Sequence, residues 1–281
     1  MGREFSLLTE QIKGLRHFSR NPKQRIRTGI PSLDKLTRGP APGEVYTILG
    51  RSYSGKSLIA QNVMVANADK GCIFFSLEMY HLMAVQRLFS MWSGWDAWEV
   101  SQRVENSALP PMLDTMPDEL GRQIIVDQPA LGCDRMSDFM TQYDTEFGER
   151  PSFVVIDYLE LVAGVKNSAD GWTATESQAQ QIKDMSKAEK MPVFLIHQTN
   201  KSEREWLPPT MGSARGGGYT EADFVVGMWR PYLDPELSYL EAEAIRNEVH
   251  FTVLKNRPFG AHNTRPIMCK LMPSLMIEEV L

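Results

Sequence analysis

The residues with the clearest chemistry run Gly50-Arg51-Ser52-Tyr53-Ser54-Gly55-Lys56-Ser57. Two glycines five apart, followed by Lys and Ser, are the pattern of a phosphate-binding loop. Its context is the one that chemistry needs. An apolar run at 45–49 enters the loop, and a helical pattern from Leu58 leaves it. Backbone N–H groups in such a loop turn inward and cradle anionic oxygens. Lys56 reaches the β- and γ-phosphates, the Ser57 hydroxyl takes a place on Mg²⁺, and the following helix presents its N-terminus to the phosphates. A glycine-rich turn without a ligand would satisfy the bare spacing. The flanking strand and helix argue instead for a nucleoside triphosphate, with ATP and Mg²⁺ as the expected cofactors.

Three further polar residues follow apolar runs. Asp157 ends the run 153–156 and suits a Mg²⁺ ligand alongside Ser57, because Mg²⁺ keeps several waters and takes few protein ligands. Glu78 follows the run 72–75 and is the candidate general base that orients water. Gln198 follows 193–196, where a neutral amide can sense a γ-phosphate and pass its state to the next loop. That loop, 199–220, carries Lys201, Arg204 and Arg215 with Gly216, Gly217 and Gly218. Basic side chains on pliable backbone can track a phosphodiester chain, although Glu203 and Glu205 weaken the field. Lys255 and Arg257 form a last basic pair.

These residues must be positioned by strands alternating with helices, the pattern of a doubly wound, mainly parallel sheet. The run ending in Glu78 is continuously apolar, as for a strand covered on both faces. Residues 264–271 and 275–279 read as a closing hairpin, hence an antiparallel C-terminal edge. Helices are expected at 80–121, 134–147 and 176–190, with Ser32 capping a short helix near 32–36. Residues 164–175 read as a loop. Trp92, Trp95 and Trp98 are taken as packing rather than as platforms for DNA bases. Near the start, Phe5, Leu8, Ile12 and Leu15 form one helical stripe. A basic, polar stretch at 19–28 reads as its linker, which would let the helix dock on a neighbouring subunit rather than on its own domain. The organisation expected is 1–28 as helix and linker, and 29–281 as one ATPase domain.

Composition excludes some classes. The 281 residues are 42% hydrophobic and 23% charged, with a net charge of −5. Such a chain is no basic nucleic-acid coat, so DNA contact needs a local patch or a channel made on assembly. The three cysteines have no metal-ligand spacing. The N-terminus, with Arg3, Glu4 and Glu10, does not look like a secretory leader, and no apolar run approaches the ~20 residues of a membrane span. A cytoplasmic protein without membrane contact is expected.

Several segments together carry a resemblance. Thr28-Gly-Ile-Pro-Ser-Leu-Asp-x-Leu36, the phosphate loop, Phe75-Ser-Leu-Glu-Met79, Asp157-Tyr-Leu-Glu-Leu161, His197-Gln-Thr-Asn200 and Lys255-x-Arg-x-x-Gly260 occur in order. The chain thereby resembles the RecA-like ATPase core, most closely the DnaB-type replicative helicase branch, in a compact, phage-type form without the helicase N-terminal domain. The resemblance implies an α/β, RecA-like doubly wound mainly parallel sheet with antiparallel C-terminal edge strands. It implies Glu78 as base, Asp157 on the metal and Gln198 as sensor. It also implies loop 199–220 lining a DNA channel, and Lys255 and Arg257 reaching the γ-phosphate bound by an adjacent subunit. The chain departs from the family at three points. Glu160 replaces Gln in Asp-Tyr-Leu-Gln-Leu. His197, read as a core histidine, replaces the small residue of Ser-Gln-Leu-Asn. One extra residue precedes Gly260. The expected function is a DNA-dependent ATPase acting on single-stranded DNA in replication, recombination or repair, as a homo-oligomeric ring hexamer or filament. The alternatives are a metal-dependent nuclease built on the same fold through Glu78, Asp157 or Glu160, and a KaiC-like regulatory ATPase.

Overall fold

A computed structural model of the chain describes residues 8–20, 24–163, 171–200, 204–263 and 265–280. Nine strands form one sheet in the order β3-β2-β4-β5-β1-β6-β7-β8-β9. They are β1 (Val45–Gly50), β2 (Cys72–Ser76), β3 (Gln123–Val126), β4 (Phe153–Asp157), β5 (Val193–Gln198), β6 (Phe224–Trp229), β7 (Glu248–Asn256), β8 (Ile267–Leu271) and β9 (Ile277–Glu279). The strands from β3 to β6 pair in parallel, and β6 through β9 pair antiparallel. This is the expected α/β architecture with its antiparallel edge.

Burial follows strand type. Every residue of β1, β2, β4 and β6 is buried, whereas β7 and β8 alternate buried with more exposed positions. Helices cover both faces of a parallel sheet, while an antiparallel edge keeps one face wet. Consecutive side chains serve opposite layers. Tyr46, Ile48, Phe74 and Val155 join one core with α3 (Lys56–Ala66), α4 (His81–Ser93), α5 (Ala97–Glu105) and α6 (Met116–Leu120). Val45, Leu49, Phe75 and Ile156 join another with α7 (Cys133–Phe147) and α8 (Gly171–Glu189). At the centre of the first layer Tyr46 packs between Phe194 and Phe224, with ring centroids 5.1 and 5.2 Å away.

Some elements differ from the sequence expectation. The helix α8 begins at Gly171, inside the stretch read as loop, and α9 (Tyr239–Ala244) was not anticipated. Ser238 starts α9 with a reciprocal cap to Glu241. Ser32 does not cap α2 (Pro31–Thr37): it lies within the helix, and its hydroxyl donates to Glu279. The described second half of the 19–28 stretch is packed, not free. Ile26 and Thr28 are fully buried, and the Ile26 N–H donates to the Pro40 carbonyl. By contrast α1 (Leu8–Arg20) buries no residue, leaving Leu8, Ile12 and Leu15 exposed; Phe5 lies outside the described residues. Trp92 and Trp95 pack on the core, while Trp98 is exposed. All three cysteines are buried free thiols.

Phe224→Ala is expected to cost about 3–5 kcal/mol, because it removes a fully buried ring from the strand that flanks β1. Urea unfolding with an unchanged m-value checks this.

Candidate functional site

Parallel strands deliver their C-terminal ends to one edge of the sheet, where open α/β sheets bind ligands. Gly50 of β1 lies beside Gln198 of β5, and Ser76 of β2 beside Asp157 of β4. Because β5 intervenes between β1 and β4, the phosphate loop and Asp157 stand two strand spacings apart, about 10 Å. Lys56, Ser57, Glu78, Asp157 and Gln198 line one cleft of about 750 Å³, with Ser52, Tyr53 and Gly55.

The loop's glycines are required by contact. A Cβ on Gly50 would stand 2.9 Å from the Met228 carbonyl oxygen, and Gly55 has φ +96°. Ser54 turns inward and donates to the Arg51 carbonyl at 2.8 Å. Lys56 Nζ donates to the same oxygen. Arg51 points away from the cleft: it donates to the Asn200 carbonyl and pairs with Glu205 at 3.2 Å. Gly50 and Ser54 thus form the back of the loop, and Arg51 ties it to the segment after β5.

Lys56 and Asp157 are almost fully buried. Burial pulls the Lys56 ammonium down to about 8, against the attraction of Asp157, Glu160 and Glu78. Burial pushes the Asp157 carboxyl up to about 6, opposed by a hydrogen bond from Ser57 and by the charges of Lys56 and Arg87. A carboxylate and a hydroxyl in hydrogen-bond contact are a hard oxygen donor pair that fits Mg²⁺, and the glycine cradle with a buried ammonium fits phosphate oxygens. Glu78 is exposed at the cleft. Gln198 bonds Tyr158 through its side chain and accepts from Arg215 at 3.5 Å.

Glu160 does not join Asp157. Its Oε1 accepts the Gln198 N–H at 3.1 Å and lies 3.2 Å from His197 Nδ1. The acids a nuclease would pool are therefore divided, and among the described residues no group of three or more His, Cys, Asp or Glu is placed to hold a metal.

Of the residues read as DNA contacts, Arg204 and Arg215 are exposed, Gly216 is half-buried, Gly217 is buried, and Lys201 lies outside the described residues. Lys255 and Arg257 are not at the cleft. Arg257 N–H donates to the Asp223 carbonyl, and Asp223 N–H to that of Val45, at the opposite end of β1. Five residue steps lead from Val45 to Gly50, about 17 Å of strand. There Lys255 donates to the Tyr219 and Thr220 carbonyls, and Arg257 pairs with Asp223 at 3.3 Å. Burial, and the neighbouring Arg257, pull the Lys255 ammonium down.

Arg87 and Tyr158 are among the cleft residues that escaped the sequence reading. Met83 and Arg87 share a helix face by their spacing of four, but only the packing of α4 turns that face to the cleft. Tyr158 was legible as the neighbour of Asp157.

A family model described as the DnaB-like helicase C terminal domain matches residues 25–270. The chain belongs to that family. The replicative DNA helicase DnaB of Treponema pallidum (strain Nichols) is 26% identical over 216 residues, which cover 73% of this chain and 47% of the relative. The chain spans about half the length of the curated relatives it matches. Among solved structures, the ATPase domain of G40P superposes with a TM-score of 0.82 at 17% identity, covering 99% of this chain and 100% of the other. A DnaB-like replicative helicase, solved in a study of its interactions with primase, gives 0.75 at 18%, covering 91% and 63%. Both likenesses are of fold. No helix among the described residues is long and apolar enough to cross a membrane.

Mg²⁺-dependent nucleotide binding is expected to be strongest between about pH 6 and about pH 8. Asp157 loses its charge as pH falls through the lower value, and Lys56 loses its own as pH rises through the upper. Titration with a fluorescent nucleotide checks this, and a flat profile from about pH 5 to pH 9 refutes it. Lys56→Ala is expected to weaken binding about 10- to 100-fold and to remove the alkaline limb.

Proposed function

We propose that the chain is an ATPase motor that hydrolyses ATP with Mg²⁺ in response to single-stranded DNA, as a homo-oligomeric ring hexamer or filament. The observation that carries this reading is the convergence of Lys56, Ser57, Glu78, Asp157 and Gln198 on one cleft. Replication is the favoured setting, since the relatives are named as replicative helicases; recombination and repair use the same chemistry. Such work belongs in the cytoplasm, with the chromosome.

The phosphates sit on the loop's N–H groups, with Lys56 as their buried cation. Ser57 and Asp157 would hold Mg²⁺, which supplies positive charge against the phosphate oxygens. Glu78 has a free path to water at the cleft mouth and takes the proton of the attacking water. Gln198 reads whether the γ-phosphate is present and passes that state to Arg215 and loop 199–220. Arg204, Arg215 and Gly216 face the DNA backbone, with Lys201 as a further expected contact, while Gly217 serves the loop's inner support.

Two features argue for assembly. Lys255 and Arg257 stand at the far end of β1 from their own phosphate loop, where they serve a neighbouring copy's γ-phosphate. The uncovered stripe of α1 calls for an apolar partner, and a neighbouring copy is the one proposed.

ATP turnover with and without single-stranded DNA tests the reading. Wild type is expected to be stimulated, and Lys56→Ala to be inactive. DNA degradation without ATP would point to the nuclease, and turnover indifferent to DNA to the regulatory ATPase. Arg257→Ala alone is expected to lose about 10³-fold or more. Mixing it with Lys56→Ala should restore part of the turnover, since interfaces where Arg257→Ala gives the loop and Lys56→Ala gives the finger have both intact. No recovery on mixing overturns the action in trans. Ile12→Glu is expected to shift the protein toward monomers by light scattering, and an unchanged mass argues against docking by α1.

A further inference from the structure

The two replaced residues in the family motifs, Glu160 and His197, meet in space. His197 is completely buried at the end of β5. It precedes Gln198, so its ring leaves the strand on the opposite face from the sensor amide. Its Nε2 lies 2.7 Å from the carbonyl oxygen of Gly217. A carbonyl only accepts, so Nε2 carries the hydrogen. On its other side Nδ1 lies 3.2 Å from Glu160 Oε1, an ion-pair distance without hydrogen-bond alignment. The same Oε1 accepts the backbone N–H of Gln198. One carboxylate oxygen therefore touches both the sensor's backbone and the ring that holds Gly217.

Gly217 sits in a turn that only glycine could form. Gly216, Gly217 and Gly218 all have positive φ, and a Cβ on Gly217 would stand 2.8 Å from Glu176 Oε1. The segment before the turn is stitched to the sensor strand: Arg215 N–H donates to the Gln198 carbonyl at 2.9 Å, and Asn200 N–H to that of Ser213 at 2.8 Å. The segment after it is held by Lys255 and Arg257 on the Tyr219 and Thr220 carbonyls. The turn thus hangs between the cleft and the basic pair, and His197 is the side chain that reaches it from the sensor strand.

We infer that Glu160 and His197 form a buried positioning pair through which the nucleotide state read at Gln198 sets the position of the Gly216–Gly218 turn. A serine at 197 would be too short to span from the strand to Gly217. The pair touches neither phosphate nor DNA. Its role is to make the turn follow the sensor strand. The inference rests on the proposed reading of the cleft as a nucleotide site and of the adjoining loop as a DNA-contacting arm.

Hydrogen exchange of residues 214–220, with and without a non-hydrolysable ATP analogue and Mg²⁺, tests the link without DNA. In wild type the analogue is expected to change exchange there about fivefold or more. In His197→Ala and in Glu160→Ala this response should vanish, while in His197→Ala affinity for the analogue stays within about twofold. His197→Gln, whose amide N–H reaches toward the place of Nε2, should restore it. A merely structural role would lower analogue affinity and leave His197→Gln no better than alanine. Should His197→Ala not fold, Glu160→Ala carries the same readout at a site nearer the surface. A response that persists in the alanine variants, or one absent from wild type, overturns the inference. Affinity for a labelled oligo-dT, measured in parallel, separates the two readings. If exchange responds but DNA affinity does not, the pair stands and the assignment of the arm to DNA falls.

Discussion

Lys56 and Asp157 keep two ionisable groups out of water at the C-terminal edge of a parallel sheet, and the rest of the structure depends on holding them there. Burial pulls the ammonium down to about 8 and pushes the carboxyl up to about 6, against the pull of their charged neighbours. Such a pair is costly to leave half-satisfied and has to be fixed by its surroundings. The fixing comes from the sheet. Gly50 and Asp157 end neighbouring-but-one strands, with β5 between them in register with both. Tyr46, Phe194 and Phe224 lock β1 against β5 and β6 from one layer, and Val45 and Leu49 seal the other. The site is therefore a property of strand register. A slip of one residue would swap the two layers and carry the loop out of reach of Asp157.

From that edge, side chains reach into the segment after β5. Arg51 of the phosphate loop pairs with Glu205; Gln198 holds Arg215; His197 holds Gly217. The segment was read as a long polar loop, yet Ser213, Ala214, Gly217 and Gly218 are buried and Thr199 bridges Ala214. Arg204 and Arg215 remain outside. The loop's described part, 204–220, is anchored at several points, so under the proposed reading a change at the cleft would pass to its exposed arginines.

Much of this was legible because the informative patterns are local. A glycine loop between strand and helix, and a polar residue closing an apolar run, locate Lys56, Asp157, Glu78 and Gln198 without knowledge of the fold. What was not legible depends on partners far along the chain. Ser32 looks like a helix cap until Glu279, 247 residues away, takes its hydroxyl. The polar stretch 24–28 looks like linker until Ile26 proves buried. Gly171 to Thr175 are poor in helix formers, yet the helix they begin packs on the 3₁₀ turn Leu159–Leu161 and on α7. Arg87 faces the cleft only because α4 packs on α3. Glu160 looked like a second acid for the metal, and only the fold shows that it faces His197 instead.

The direction of β1 supplies the last step. One strand joins the phosphate loop and the basic pair at opposite ends. Its C-terminal end opens the phosphate loop, and its N-terminal end bonds through Asp223 to Arg257. Asp223 is also where Lys183 is buried, 2.6 Å from Oδ2, so the base of the Arg257 turn is anchored as firmly as the loop at the other end. Both ends are rigid, about 17 Å apart, and a strand does not shorten. A basic pair that is half exposed, fixed to the core and out of reach of its own cleft is placed to act outward. Under the proposed action in trans, repetition of such a head-to-tail relation would close into a ring or run on as a helix, according to the rotation between copies. The asymmetry needed for either is already present in one chain, along a single buried strand.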